Sequence, residues 1–300
     1  MSFNQKPISI VLPAKNEAPQ IRNLIKKLKS KFPDAEILVV NDGSTDQTAE
    51  IAEQEGARVI THPYSMGNGA AIKTGARNAT NNIIVFMDAD GQHNPDDIPA
   101  LLNKLSEGYD MVVGARQANS QANIHRRLAN YIYNRLASFM TGYRIEDLTS
   151  GFRAVKTNKF RKFLYLLPNG FSYPTTSTMA FFRSGFPVAY IPIKAIQRQG
   201  KSHIKLFKDG IRFFIIILRV GSLFSPMRLF LPISFALFSI GMTYYSYTYV
   251  ISSRFTNMSA LLLVSALIIF LIGILSEQIS SLHYKHVDGS EDYSKPDDIK

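Results

Sequence analysis

The chain has 300 residues, a formal net charge of +11 and no cysteine or tryptophan. That length allows one full catalytic domain plus something smaller; the missing cysteines exclude disulfides and thiolate metal sites; and the basic excess suits anionic partners such as nucleotide phosphates, lipid phosphates and anionic headgroups. No nucleic-acid motif occurs and the Lys/Arg clusters sit beside hydrophobic spans, so nucleic acid is set aside as a partner.

The amino terminus carries no secretory pattern and runs straight into an apolar strand, which predicts a cytoplasmic body. Strands are predicted over Ile8–Leu12, Ile37–Asn41, Arg58–Thr61, Ile83–Met87 and Met111–Gly114. Amphipathic helical patterns fall between them, at Ala18–Lys31, Asp46–Glu55, Gly69–Ala79 and Pro95–Leu105. Apolar strands alternating with helices argue for an α/β fold, a largely parallel sheet covered on both faces. In such sheets ligands bind outside the carboxyl ends of the strands, which directs attention to Pro13–Glu17, Asn41–Asp46 and Asp88–His93.

The polar, aperiodic stretch Gln117–Asn123 predicts a loop, and its place between candidate phosphate-binding arginines suits a gate that orders on ligand binding. A basic amphipathic helix is predicted from His125 to Thr141, with Leu128, Ile132, Leu136 and Met140 on one stripe. A strand-like run, Val188–Ile196, closes the soluble part. Beyond it, Leu206–Phe224 mixes apolar residues with Lys208, Arg212 and Arg219, the pattern of a helix lying in a membrane interface. Leu229–Val250 and Ser259–Ser276 are free of charge. At ~1.5 Å per residue the first is long enough for a ~30 Å hydrocarbon core, and the second crosses if its helix continues to Leu282. Basic residues flank the pair, so both ends are expected in the cytoplasm and the link around Arg254 outside. The tail from Val287 is polar and charged, a composition expected to be disordered.

The stretch that carries most chemistry is Asp88-Ala89-Asp90-Gly91-Gln92-His93, where an apolar strand ends in two carboxylates one residue apart. A hard cation, Mg²⁺ or Mn²⁺, can bridge such carboxylates to a nucleotide diphosphate and stabilise its charge as it leaves. Gln92 offers a third oxygen, whereas His93 reads as a loop residue. Ser44, Thr45 and Asp46 read as helix N-capping residues; Asp42, at its strand's end, could hydrogen-bond a base or ribose. Lys73, near a helix start, reads equally as a phosphate ligand or a solvated surface residue. The Gly-x-Gly-x-x-Gly turn of dinucleotide-binding dehydrogenases is absent after the first strand.

Together, Pro13-Ala14-Lys15-Asn16-Glu17, Asn41–Asp46, Gly67-Asn68-Gly69-Ala70-Ala71, Asp88–His93, Thr149-Ser150-Gly151-Phe152-Arg153 and Arg198–His203 resemble, in order and spacing, the family 2 glycosyltransferases of the dolichol-phosphate mannose synthase type. The resemblance covers Ile8 to Phe224. It implies a GT-A fold, inverting transfer of a hexose and a polyprenyl monophosphate acceptor, dolichyl or undecaprenyl. Carried over position by position, it implies nucleotide contacts at Pro13, Ala14, Asn16, Glu17 and Asp42, and metal and diphosphate contacts at Asp88, Asp90 and Gln92. It implies an acid near the donor sugar at Asp147, acceptor-phosphate contacts at Arg116 and at Arg126 or Arg127, and a late active-site motif with Arg198 and Ser202. His203 stands where the family pattern has Lys.

The organisation so implied is a catalytic domain over residues 1–203, an interface helix over 204–226, two transmembrane helices over 227–284 and a cytoplasmic tail over 285–300. The donor stays open between GDP-mannose and UDP-glucose types, and the hairpin is compatible with a homo-oligomer. A lipid phosphate is already anionic, so transfer to it needs no base. Asp147 then orients the sugar, while Arg116, Arg126 and Arg127 offset repulsion between the two anions. Two other readings are a processive polysaccharide synthase and a non-catalytic nucleotide-binding adaptor. The first family's Gln-x-x-Arg-Trp signature cannot occur in a chain without Trp, and the presence of both Asp88 and Asp90 argues against the second.

Overall fold

The structure, a computed structural model, describes residues 7–116, 124–170, 172–193 and 221–288, with side chains of 124–130 and 283–288 outside that description. The predicted gate at Gln117–Asn123, Arg198, Ser202, most of the predicted interface helix and the tail from 289 onward therefore lie outside the described residues. The chain divides into two units, one of residues 1–138 and 143–205, the other of residues 139–142 and 206–300.

In the first unit, seven strands form one sheet: β1 (Ser9–Ala14), β2 (Glu36–Asn41), β3 (Arg58–Thr61), β4 (Ile83–Phe86), β5 (Met111–Arg116), β6 (Arg153–Lys156) and β7 (Val188–Ile193). Their order is β3-β2-β1-β4-β6-β5-β7. All pairings are parallel except those of β6, which runs antiparallel to both β4 and β5. Helices α1 (Ala18–Lys31), α2 (Thr48–Gln54) and α4 (Ile98–Ser106) pack on one face; α3 (Asn68–Asn78), α6 (Thr157–Arg161) and α7 (Tyr173–Arg183) pack on the other. α5 spans Ile124–Thr141.

The local reasons are legible residue by residue. α1 places Ile21, Leu24, Ile25 and Leu28 on one stripe, has Pro19 in its first turn and ends on Lys29 and Lys31, which suit the negative pole of the helix dipole. That stripe meets Ile10, Leu12, Val39 and Val85 from the sheet in one apolar cluster. Each such side chain contributes ~1.5–3 kcal/mol by leaving water. On the opposite face Phe86 packs on Phe160, with ring centroids 4.8 Å apart. There α3 comes so close that a Cβ on Gly75 would lie 2.3 Å from Val11 Cγ1.

Several boundaries differ from expectation. β1 continues to Ala14 because its pairing with β2 extends to Asn41. β5 continues to Arg116, paired with Ile193 of β7. β6 was not anticipated. On α5, Met140 of the predicted stripe is buried and Leu136 half-buried, but Ile132 is exposed and Ala137 joins the buried face.

In the second unit, α8 (Pro226–Ser252) and α9 (Asn257–Asp288) form an antiparallel hairpin. Both are long and apolar enough to cross a membrane, and the most apolar windows of the two are only 11% and 17% buried. Buried core helices of a water-soluble protein would not leave Phe235, Tyr247, Val250, Leu261 and Leu275 this exposed. This is the surface of an integral membrane protein. α9 does continue past Glu277. Ser234 Oγ donates to Ala266 O at 2.7 Å across the pair, and Glu277 accepts from the Met227 backbone N–H at 3.3 Å, satisfying an orphan donor at the start of α8.

Candidate active site

The carboxyl edge of the sheet gathers the ends of β1, β2, β4 and β5, and antiparallel β6 starts from that same edge, since Arg153 pairs with Phe86. This topology brings Asp147–Phe152 beside the loop after β4.

At the β1 end, Pro13 is half-buried and Ala14 buried. Asn16 takes a left-handed backbone, φ 56°, a conformation asparagine tolerates. Its N–H donates to Ser44 Oγ at 3.0 Å and its Oδ1 accepts from the Thr45 N–H at 2.8 Å. Glu17 donates its backbone N–H to Thr48 Oγ1. Asp46 accepts from the backbone N–H groups of Ala18 and Thr48. Asp46 thus satisfies the first N–H of both α1 and α2, although the formal N-cap of α2 is Gln47, while Ser44 and Thr45 tie the loop to Asn16.

Asp42 is 4% exposed. Its carboxylate accepts from Ser65 Oγ (2.8 Å) and the N–H groups of Met66 (2.8 Å) and Gly67 (2.9 Å), and lies 2.8 Å from His62 Nδ1. Burial pushes its pKa up, but these donors outweigh it and hold the group below the ordinary aspartate value. The carboxylate thus organises the 62–67 loop, and Ser65 Oγ in turn accepts from Lys15 Nζ at 2.9 Å. Lys73 Nζ donates to Leu167 O at 3.1 Å and to Asn169 Oδ1, tying α3 to the 167–169 segment.

Asp147 is equally spent. Arg116 Nε lies 2.8 Å from Oδ2 and Arg116 Nη2 3.0 Å from Oδ1, and Asp147 also accepts from the N–H groups of Arg116, Thr149 and Ser150. Burial raises its pKa; the Arg116 fork and the backbone donors more than reverse that. Arg116 is held above its ordinary value by Asp147 and, from further off, by Asp88, so the three share one electrostatic site.

Asp88 differs. Its side chain is 34% exposed, and among the described residues its one ion-pair neighbour is His93, with Nε2 3.5 Å from Oδ2. Asp90 accepts from Gln92 twice, from N–H at 3.1 Å and from Nε2 at 2.7 Å. Asp88, Asp90 and Gln92 thus offer oxygens at one sheet edge, a donor set that fits a hard cation. Among the described residues no cluster of three His, Cys, Asp or Glu side chains makes a closed metal cage.

Sequence reasoning missed three features. Gly151 lies against Asp88: a Cβ there would sit 3.0 Å from Asp88 Oδ2 and 3.1 Å from Tyr173 Oη. Arg153 is fully buried, donating to Pro174 O, Ser177 Oγ, Thr178 Oγ1 and Ser150 O. His93 is buried and stacks on Phe152. Of Arg126 and Arg127 the structure describes only the α5 backbone.

With this geometry in place, residues 9–164 match the model of glycosyl transferase family 2, and residues 225–282 match that of the GtrB C-terminal hairpin. The glycosyltransferase AglJ of Haloferax volcanii is 29% identical over 298 residues, covering 95% of this chain and 97% of that protein. The undecaprenyl-phosphate 4-deoxy-4-formamido-L-arabinose transferase of Klebsiella pneumoniae is 35% identical over 161 residues, 50% of this chain and 49% of its own length. Among solved structures, glucosyl-3-phosphoglycerate synthase from Mycobacterium tuberculosis, in complex with Mn²⁺, UDP-glucose and phosphoglyceric acid, superposes with a TM-score of 0.60 at 22% identity, covering 72% of this chain and 80% of that one. The sheet and its flanking helices are accordingly a GT-A fold.

Proposed function

This chain belongs to glycosyl transferase family 2, and we propose that it moves a hexose from a nucleotide-diphosphate sugar to a polyprenyl phosphate at the cytoplasmic face of a membrane. The observation that carries the reading is the contrast among the edge acids. Asp42 and Asp147 are saturated by donors, while among the described residues Asp88 meets only His93 Nε2, at 3.5 Å, and is 34% exposed. The undecaprenyl-phosphate specificity named for the Klebsiella relative and the hairpin match at residues 225–282 support a lipid-phosphate acceptor. The Mn²⁺ and UDP-glucose held by the mycobacterial structure support a divalent metal and a nucleoside-diphosphate donor.

In this reading Asp88, Asp90 and Gln92 hold Mg²⁺ or Mn²⁺. When bound, the cation neutralises charge on the departing nucleoside diphosphate. Pro13, Ala14, Asn16, Glu17 and Asp42 shape the nucleotide end, with Asp42 acting through the 62–67 loop that it fastens. An acceptor phosphate oxygen attacks the anomeric carbon in line as the bond to the diphosphate breaks, inverting the configuration. The products are polyprenyl-phosphate sugar and nucleoside diphosphate. Arg116, neutralised by Asp147 before substrate arrives, swings part of its fork to the incoming phosphate, and Asp147 then orients the sugar. Arg126, Arg127, Arg198 and Ser202 complete the acceptor and late-motif contacts. The hairpin, covalently joined to the catalytic domain of residues 1–203, confines it near its lipid substrate and raises the effective acceptor concentration. Residues 204–226 lie along the interface, residues 227–284 span the bilayer, and both termini, with the 285–300 tail, stay cytoplasmic.

The test is transfer of label from UDP-glucose and from GDP-mannose to undecaprenyl phosphate by the detergent-purified protein with Mn²⁺. A labelled lipid is expected, lost on chelation and reduced at least ~100-fold in Asp88→Ala and Asp90→Ala. No labelled lipid with either donor, or turnover indifferent to chelator, would remove the proposal.

A further inference from the structure

His93 was read from sequence as an ordinary loop residue, yet three facts set it apart. It is 8% exposed, although it belongs to the loop that carries Asp88 and Asp90. Its ring lies flat on Phe152, with centroids 5.0 Å apart and planes 16° from parallel. Its Nδ1 is buried with no hydrogen-bond partner among the described residues, while Nε2 faces Asp88 Oδ2 at 3.5 Å. A buried imidazole nitrogen without a partner is costly. A ring kept for packing alone would be better served by Phe, which brings no polar atom into the core. The position therefore carries the chemistry of its other nitrogen, Nε2.

We propose that His93 is a positioning residue for Asp88. Phe152 fixes the plane of the imidazole, so that Nε2, 3.5 Å from Asp88 Oδ2, biases that oxygen electrostatically and leaves the other for the cation. Gly151 lies so near the same carboxylate that a Cβ added to it would sit 3.0 Å from Oδ2, the oxygen that His93 also approaches. Partners that orient a metal-binding carboxylate are worth about 10–100-fold in metal affinity. The inference rests on Asp88 belonging to a metal site, as proposed above.

Two variants separate orientation from packing. His93→Phe keeps the stack on Phe152 and removes the donor; His93→Gln loses the ring but keeps an N–H at similar reach. Mn²⁺ binding to the full-length protein without donor sugar, read by loss of the free-ion electron paramagnetic resonance signal, should weaken ~10-fold or more in His93→Phe. In His93→Gln it should stay within about 3-fold of the parent. Circular dichroism melting reports the fold of each variant independently. Parent-level Mn²⁺ affinity in a folded His93→Phe overturns the assignment, as do equal losses in both variants. Asp88→Ala distinguishes the two levels: if the parent binds Mn²⁺ no better than Asp88→Ala, the metal site itself fails and the inference with it. If Asp88→Ala loses Mn²⁺ while His93→Phe does not, the site stands and the role of His93 alone falls.

Discussion

Arg116 lays its guanidinium edge across both oxygens of Asp147, with Nε–Oδ2 at 2.8 Å and Nη2–Oδ1 at 3.0 Å, from the end of β5 to the turn before β6. The pair joins two elements of the sheet that are adjacent in space, and it sets the charge of the edge on which the Asp88 loop opens. Removing Asp147 leaves Arg116, half-buried at 27% side-chain exposure, without its fork partner.

Asp147→Asn is therefore expected to destabilise the first unit by about 2 kcal/mol, measured by urea titration with pulse proteolysis. The same variant should change the acid limb of stability. The folded pKa of Asp147 lies below its ordinary 3.8, so its contribution is complete above that value and is lost as pH falls through the lower folded value. Asp147→Asn should flatten the stability curve in that window and leave its shape near pH 7 unaltered. Asp42, also depressed, keeps the residual slope.

Gly151→Ala tests the wall beside Asp88. Gly151 has an ordinary backbone, so the cost falls on its neighbours, with Asp88 Oδ2 and Tyr173 Oη both about 3 Å from the added carbon. The expected result is a ~10–100-fold loss of transfer, because small misplacements at a reacting centre are expensive. The melting temperature should move little.

Gly69→Ala tests a different close approach. The start of α3 docks on the 167–170 turn through Gly69 N–H to Gly170 O (3.1 Å) and Ala70 N–H to Asn169 O (2.8 Å). A Cβ at Gly69 would lie 2.0 Å from Pro168 O, a backbone atom that cannot rotate away. A loss of about 2 kcal/mol is expected in the same urea assay.

Ser234→Ala should be mild. Its hydrogen bond to Ala266 O ties α8 to α9, but such bonds between apolar helices average ~0.6 kcal/mol. Unfolding of the hairpin in mixed micelles should register a change of that order.

Much of this fold could be read from pattern. Runs such as Ile37–Val40 and Ile83–Phe86 are continuous apolar strands bounded by polar turns, and each is buried in the sheet. β6 could not be read that way. Arg-Ala-Val-Lys is short and charged at both ends, and Arg153 is tolerated in the interior only because Pro174, Ser177 and Thr178, more than twenty residues away, receive its N–H groups. The same long-range need accounts for the burial of polar Ser177 and Thr178 on α7. At the site, Asp88 and Asp90 stood out as strand-end acids. The engagement of Asp42 with Ser65–Gly67 and of Asp147 with Arg116 depends on pairings 23 to 31 residues apart, which spacing along the chain does not encode.

The placement of β6 between β4 and β5 bears on how the chain is made. Synthesis releases β4 and β5 before the strand that must lie between them, so for that interval β4 presents an unpaired row of N–H and C=O groups beside one of the most apolar segments of the chain. Open edges of this kind recruit foreign strands. A nascent or truncated product ending before Lys156 should therefore aggregate, and the vulnerability closes only when Arg153–Lys156 emerge, a few residues after Asp147 has made the clasp with Arg116 available.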